Sequence, residues 1–178
     1  YVGEVVQDGM LDLLADGTFG VASATSLALS EEGQERLFAD VERYTENLVL
    51  RPADVSNRAE VVDRFGVTAV NSAVEVDLYG NANSTHVNGT RVLAGVGGSG
   101  DFNRNGLVAI TALPSTAADG DVSRVVPAVT HVDHTEHDLD VVVTEHGAAD
   151  LRGLAPVERA EVLIERCAHP DYRGALRG

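Results

Sequence analysis

Two short runs of branched apolar residues, LVAITAL at 107–113 and LDVVV at 139–143, set the terms on which this chain can fold. Each has the length of a buried strand, and each is closed by a turn residue, Pro114 in one case and Gly147 of VVVTEHG in the other. Helical patterns separate such runs. The clearest, PVERAEVLIERCAH, places Pro156 in its first turn and Val157, Ala160, Leu163, Ile164 and Cys167 on one apolar side, with Pro170 as its stop. Strands alternating with helices predict an α/β fold: an open, mostly parallel sheet with helices on both faces, and binding loops at the strand ends. Aromatic residues make up only 4% of the chain and tryptophan is absent, so the core is built from Val, Ala, Leu and Ile.

Further elements follow from local chemistry. DGMLDLLAD predicts a helix over 8–16 stopped by Gly17, and FGVASAT a short strand. Ser30 is the cap of a helix over about 31–40 that Gly33 weakens. TENLVL reads as a strand over 45–50, and RPADVSNRAEVVDRFG as a turn and one helix from near Ser56 to Gly66. VTAVNSAVEVDLYG supplies one or two strands, 90–93 another, and VSRVVPAV an edge strand bent at Pro127. The 178 residues suffice for a single packed domain.

Charge narrows the function. With 28 acidic residues against 13 basic ones, the net charge is −15 and no basic stripe exists to neutralise phosphates, which argues against nucleic-acid binding. Every basic residue is arginine, and the excess of acid fits a cytoplasmic protein adapted to high salt. No apolar run approaches the ~20 residues of a membrane span. Cys167 has no partner for a disulfide and reads as a buried helix residue. The two glycosylation sequons, at Asn83 and Asn88, are read as chance matches. Because the chain opens on Tyr1 and an apolar strand, a preceding domain is expected on this chain or on another.

The strongest chemical feature is GVGGSGDFNRN, 95–105. Gly95, Gly97 and Gly98 let the backbone approach a ligand and turn its N–H groups toward an anion, while Arg104 adds a positive charge. The run is neither a dinucleotide fingerprint, lacking the helix continuation and the later acid, nor a P-loop, lacking lysine. It suits an oxyanion on a thioester or anhydride carbonyl, and a purely structural turn explains it equally well. Glu4 is a surface acid or a nucleophile toward an activated acyl group. Glu145, at the end of a strand, is a turn acid or a site residue, and Asn57 a helix-start cap or a site residue. His131, His134 and His137 are spaced by three, with Asp133, Glu136 and Asp138 among them. Without cysteine or an amphipathic pattern, however, they read as a polar loop that shapes the site, and no metal is expected.

GEVVQDGMLDLL, VNSAVEVDLYGNANSTHVNGT, GVGGSGDFNRNG, ALPST, SRVVPAVTHVDHTEHDLDVVVTEHGAADLRGL and ERCAHPDYR occur in this order. Together they resemble the C-terminal half of the acetyl-CoA hydrolase and acyl-CoA:carboxylate CoA-transferase family, most closely its succinyl-CoA:acetate transferase branch. The resemblance spans nearly the whole chain and implies a CoA-transferase-like fold. It implies that Glu4, before the Q-D-G element, attacks an acyl-CoA thioester, that a glutamyl-CoA thioester follows, and that the Gly98 amide lies in the oxyanion hole. Asn57 and Glu145 are implied to position the reacting acyl group, and Gly95, Gly97, Gly98 and Arg104 to contact CoA. Acyl-CoA and a small carboxylate are then the substrates, with no permanently bound cofactor. The resemblance also implies a homo-oligomer and a further N-terminal half that completes the CoA cleft. Ala118 stands where the family often carries a lysine, leaving Arg124 or Arg104 to supply a cation, and Gly3 where a hydroxyl residue commonly precedes the glutamate. The alternatives are hydrolysis, with water as acceptor, and a non-catalytic acyl-CoA-binding fragment or partner subunit.

Overall fold

The computed structural model describes residues 1–178, which form two compact units, Tyr1–Val67 and Thr68–Gly178. The first unit runs β1 (Val5–Val6), α1 (Asp8–Ala15), β2 (Ala22–Ala24), β3 (Ser26–Leu27), α2 (Glu31–Ala39), α3 (Val41–Asn47), β4 (Leu48–Leu50), α4 (Ala53–Ser56) and α5 (Ala59–Phe65). Strand β1 pairs in parallel with β3, and β2 with β4. Leu11 and Leu14 of α1, Leu37 of α2 and Tyr44 of α3 close over Val6, Ala22 and Ala24. The expected cap is present: the Ser30 hydroxyl accepts the Gly33 N–H at 3.0 Å. Gly33 has a steric reason, since a Cβ there would sit 2.0 Å from the Asp8 carboxylate, which accepts the Ser30 N–H. Two local expectations are corrected. Residues 45–47 continue helix α3 and only 48–50 are strand, and the turn expected before Ser56 holds the short helix α4, so that the helix ended by Gly66, α5, begins only at Ala59. Helix α5 stops where glycine allows it, with Gly66 at φ 59°.

The second unit holds the principal sheet. Its elements are β5 (Thr68–Ser72), β6 (Glu75–Asp77), β7 (Ala82–Asn83), β8 (His86–Val87), β9 (Arg91–Val92), α6 (Ser99–Asn105), β10 (Val108–Ala112), β11 (Thr116–Ala117), β12 (Val122–Ser123), β13 (Val125–Val126), β14 (Val141–Thr144), β15 (Gly147–Asp150), α7 (Pro156–Arg166) and α8 (Pro170–Arg177). The sheet order is β15-β14-β10-β5, with β14, β10 and β5 parallel and β15 returning antiparallel from the Glu145–His146 turn. The two branched-apolar runs are thus neighbouring central strands. Ala109, Thr111 and Val142 are buried along them, and Leu151, Leu163, Cys167 and Ala168 complete the core. Helix α6 packs on β5 and β10, and α7 on β15.

Three details differ from the sequence reading. The glycine loop does continue into a helix, the seven-residue α6, which is short and polar but anchored by the buried Phe102 and Asn103. Val157 is 67% exposed, so α7 buries Leu163 and Ile164 without it. Pro170 ends α7 and also opens α8, where its missing N–H costs nothing. No helix is long and apolar enough to cross a membrane.

Candidate active site

Glu4 stands immediately before β1 and is half-buried. Its carbonyl accepts the N–H groups of Thr25 and Ser26 at 2.9 and 3.0 Å and the Thr25 hydroxyl at 2.6 Å, which fixes the backbone that carries the carboxylate. The Tyr1 ring folds over Gly3, where a Cβ would lie 2.1 Å from the phenol oxygen; the space a larger residue would need is taken. Burial, and secondarily the Glu4 charge, push the Tyr1 phenol above its usual range. Asn57 is not a helix-start cap: it ends α4, with its N–H on the Ala53 carbonyl at 2.8 Å. Strand β2 packs against both β1, which Glu4 precedes, and α4, which Asn57 follows.

In the second unit, Gly95 and Gly97 are exposed, Gly98 is buried, and Gly97 takes φ 57°, a conformation that favours glycine. The loop is pinned by Ser99, whose hydroxyl lies 2.8 Å from the Val96 carbonyl and 2.9 Å from His134 Nε2. A carbonyl only accepts, so Ser99 donates to Val96 and His134 donates to Ser99 through Nε2–H. His134 Nδ1 is then the unprotonated nitrogen, and it is buried without a hydrogen-bond partner. Burial holds this imidazole below its usual pKa against the opposing charges of Asp133 and Asp138. Arg104 is exposed and reaches Asp138 at 3.4 Å, which joins α6 to the histidine-rich segment.

Glu145 follows β14 directly, at the carboxyl end of the parallel strands. One carboxylate oxygen accepts the Ser115 N–H at 2.8 Å and the other its hydroxyl. These bonds, with the Ser115 hydroxyl first, lower the Glu145 pKa to about 2. Beside Ser115, at the ends of β5 and β10, opens a cleft of about 420 Å³ lined by Ser72, Glu75, Leu93, Pro114, Ala117 and Arg124, among others. Arg124, not Arg104, is the cation in its wall. Ala118 follows in a left-handed conformation, φ 51°.

The three histidines of this segment lie in different surroundings. His134 is buried under the glycine loop and His137 is 82% exposed, so His131 is left with Asp133 and with His86 from β8. Ser115, Ser99 and His86 were the residues sequence reasoning missed. Ser115 had a signal, a hydroxyl just past the LVAITAL strand and its closing proline, whereas His86 had none.

The model of the acetyl-CoA hydrolase/transferase C-terminal domain matches residues 33–178. The chain belongs to this family. It is 51% identical over 173 residues to a succinyl-CoA:acetate CoA-transferase of Clostridium kluyveri, covering 97% of this chain and 32% of that protein. It is 50% identical over 177 residues to an acetyl-CoA hydrolase of Saccharomyces cerevisiae, covering 97% and 34%. The crystal structure of a 4-hydroxybutyrate CoA-transferase from Porphyromonas gingivalis superposes with a TM-score of 0.73 at 29% identity, over 98% of this chain and 44% of that one. The chain therefore spans about a third of the length of the relatives it matches. The fold is α/β, as the strand and helix pattern predicted, and CoA-transferase-like, as the family resemblance implied.

Proposed function

We propose that the protein carrying this domain cleaves the thioester of a small acyl-CoA, with Glu4 as covalent nucleophile. The observation that supports this reading best is the anchoring of Glu145 by Ser115 at the carboxyl ends of β10 and β14, where open parallel sheets bind ligands. A carboxylate held ionised there, beside a cleft with Arg124 in its wall, is suited to orient an acyl group without taking up a proton.

In this reading the Glu4 carboxylate attacks the thioester carbonyl, the C–S bond breaks, and CoA thiolate leaves a mixed anhydride. The thiolate attacks the glutamyl carbonyl of the anhydride, releasing the free acid and forming a glutamyl-CoA thioester. Water then opens that thioester to Glu4 carboxylate, CoA thiol and a proton. The buried Gly98 amide is the oxyanion donor, and Asn57 positions the acyl group. Gly95 and Gly97 allow the close approach of CoA, which is a substrate.

A second acceptor has specific support. A carboxylate in place of water completes CoA transfer, and both a hydrolase and a transferase stand at about 50% identity to this chain. Free-thiol release from acetyl-CoA by the full-length protein, with and without succinate, tests the choice. Thiol release independent of succinate supports hydrolysis; succinyl-CoA formation with little free thiol supports transfer. Absence of both reactions overturns the proposal.

A further inference from the structure

The groups at His86, His131 and Asp133 have no place in that chemistry. One potential ligand atom from each lies within 4.8 Å of the others. His131 Nε2 and Asp133 Oδ1 are 3.3 Å apart, and the two imidazole rings lie 3.9 Å apart between centroids, tilted by 37°. Tetrahedral zinc, with bonds of 2.0–2.2 Å to nitrogen and oxygen, sets its ligands roughly 3.3 Å from one another. The His131–Asp133 pair already has that separation.

Thr85 prepares the other two members. Its hydroxyl is 2.7 Å from Asp133 Oδ2 and 2.6 Å from His86 Nδ1. Having one proton, it donates to the carboxylate and accepts from His86 Nδ1–H, so His86 Nε2 keeps its lone pair. A ring nitrogen fixed in this way by an outer hydrogen bond is the usual arrangement behind a metal-binding histidine. The Ser84 N–H occupies the same Oδ2 at 2.7 Å, which leaves Oδ1 on the side of His131.

The platform is rigid without any ion. The Ala82 carbonyl accepts the Asp133 and His134 N–H groups at 3.0 Å, its N–H donates to the His134 carbonyl at 2.8 Å, and the fully buried Asn83 accepts the His86 N–H at 2.9 Å. Both ligand-bearing segments are therefore held in place by bonds that involve none of the coordinating atoms.

We propose that His86, His131 and Asp133 bind one divalent transition-metal ion of the zinc class, with solvent completing its shell. Two imidazoles and a carboxylate select such ions over Mg²⁺ or Ca²⁺, which take oxygen ligands. The ion would tie the β7–β8 segment to residues 131–133.

The test is cobalt binding by the chelator-treated, full-length protein at neutral pH, followed by visible absorption, with zinc competition read by calorimetry. One Co²⁺ per chain, displaced by Zn²⁺, is expected. His131→Ala, at a half-exposed side chain whose loss the fold tolerates, should weaken binding at least tenfold with an unchanged circular dichroism spectrum, and Asp133→Asn should do the same. His137→Ala, at an exposed neighbour, should leave the affinity as it was. Wild type that binds no ion, His131→Ala that binds as tightly as wild type, or an equal loss in His137→Ala would overturn the proposal.

Discussion

Ser115 holds both carboxylate oxygens of Glu145, one through its backbone N–H and the other through its hydroxyl. The two residues end neighbouring parallel strands, so a local feature of one loop fixes the charge state of a side chain thirty positions away. With its pKa lowered to about 2, Glu145 stays ionised well below the ordinary glutamate range.

This predicts a pH signature. The folded pKa lies below the ordinary glutamate value of about 4.3, so the contribution of Glu145 to stability is fully present above that value. It is lost as pH falls toward 2. Ser115→Ala should move the Glu145 titration, read by carboxyl NMR, up toward 4, and should reduce the acid dependence of unfolding between these limits. An unshifted titration would show that the Ser115 bonds do not control this carboxylate.

Gly147 turns the chain directly after Glu145 and His146, at φ 152°, and a Cβ there would meet the Arg166 carbonyl at 3.1 Å. Backbone cannot swing aside as a flexible side chain can. Gly147→Ala should lower stability by about 1–3 kcal/mol in chemical denaturation. A change within experimental error would mean that the turn relaxes freely.

The His134–Ser99–Val96 chain predicts the behaviour of the glycine loop. Ser99→Ala removes the hydroxyl and strands the buried His134 Nε2–H, at a cost of roughly 1–3 kcal/mol. Hydrogen exchange at Gly97 and Gly98 should quicken, while that of β14 is unchanged. Equal protection in the variant would assign the loop's order to other contacts.

Cys167 is fully buried beneath β14, with its sulfur 3.3 Å from the Val142 carbonyl, and burial pushes its thiol up to about 11. Alkylating reagents should leave it untouched in native protein and label it completely in denaturant. Rapid labelling of the native state would refute its placement in the core.

These features differ in how far the sequence announces them. The central strands were legible because LVAITAL and LDVVV carry their own burial, and Ser30, Gly66 and Pro156 mark helix ends through local chemistry. Helix α6 was hidden because SGDFNRN lacks an apolar stripe and is held instead by packing of Phe102 and by the Asn71–Asn103 bond at 2.8 Å. TENLVL misled because a helix passes to a strand within it. Among the site residues, Glu145 could be placed from its strand end, but its partner Ser115 follows a different strand. The pairing of His86 with His131 crosses 45 residues of chain, a relation that no spacing rule contains. Short-range regularity was readable, and long-range hydrogen bonding was not.

In the proposed reaction Glu4 becomes covalently attached during turnover. Full-length protein is incubated with acetyl-CoA, reduced with borohydride, and mapped by peptide mass spectrometry. Reduction of a thioester at Glu4 is expected, giving an alcohol in the peptide that contains GEVVQDG, with no such product in Glu4→Gln. Turnover of acetyl-CoA by Glu4→Gln at the wild-type rate, with no modified Glu4 in the wild type, would contradict it.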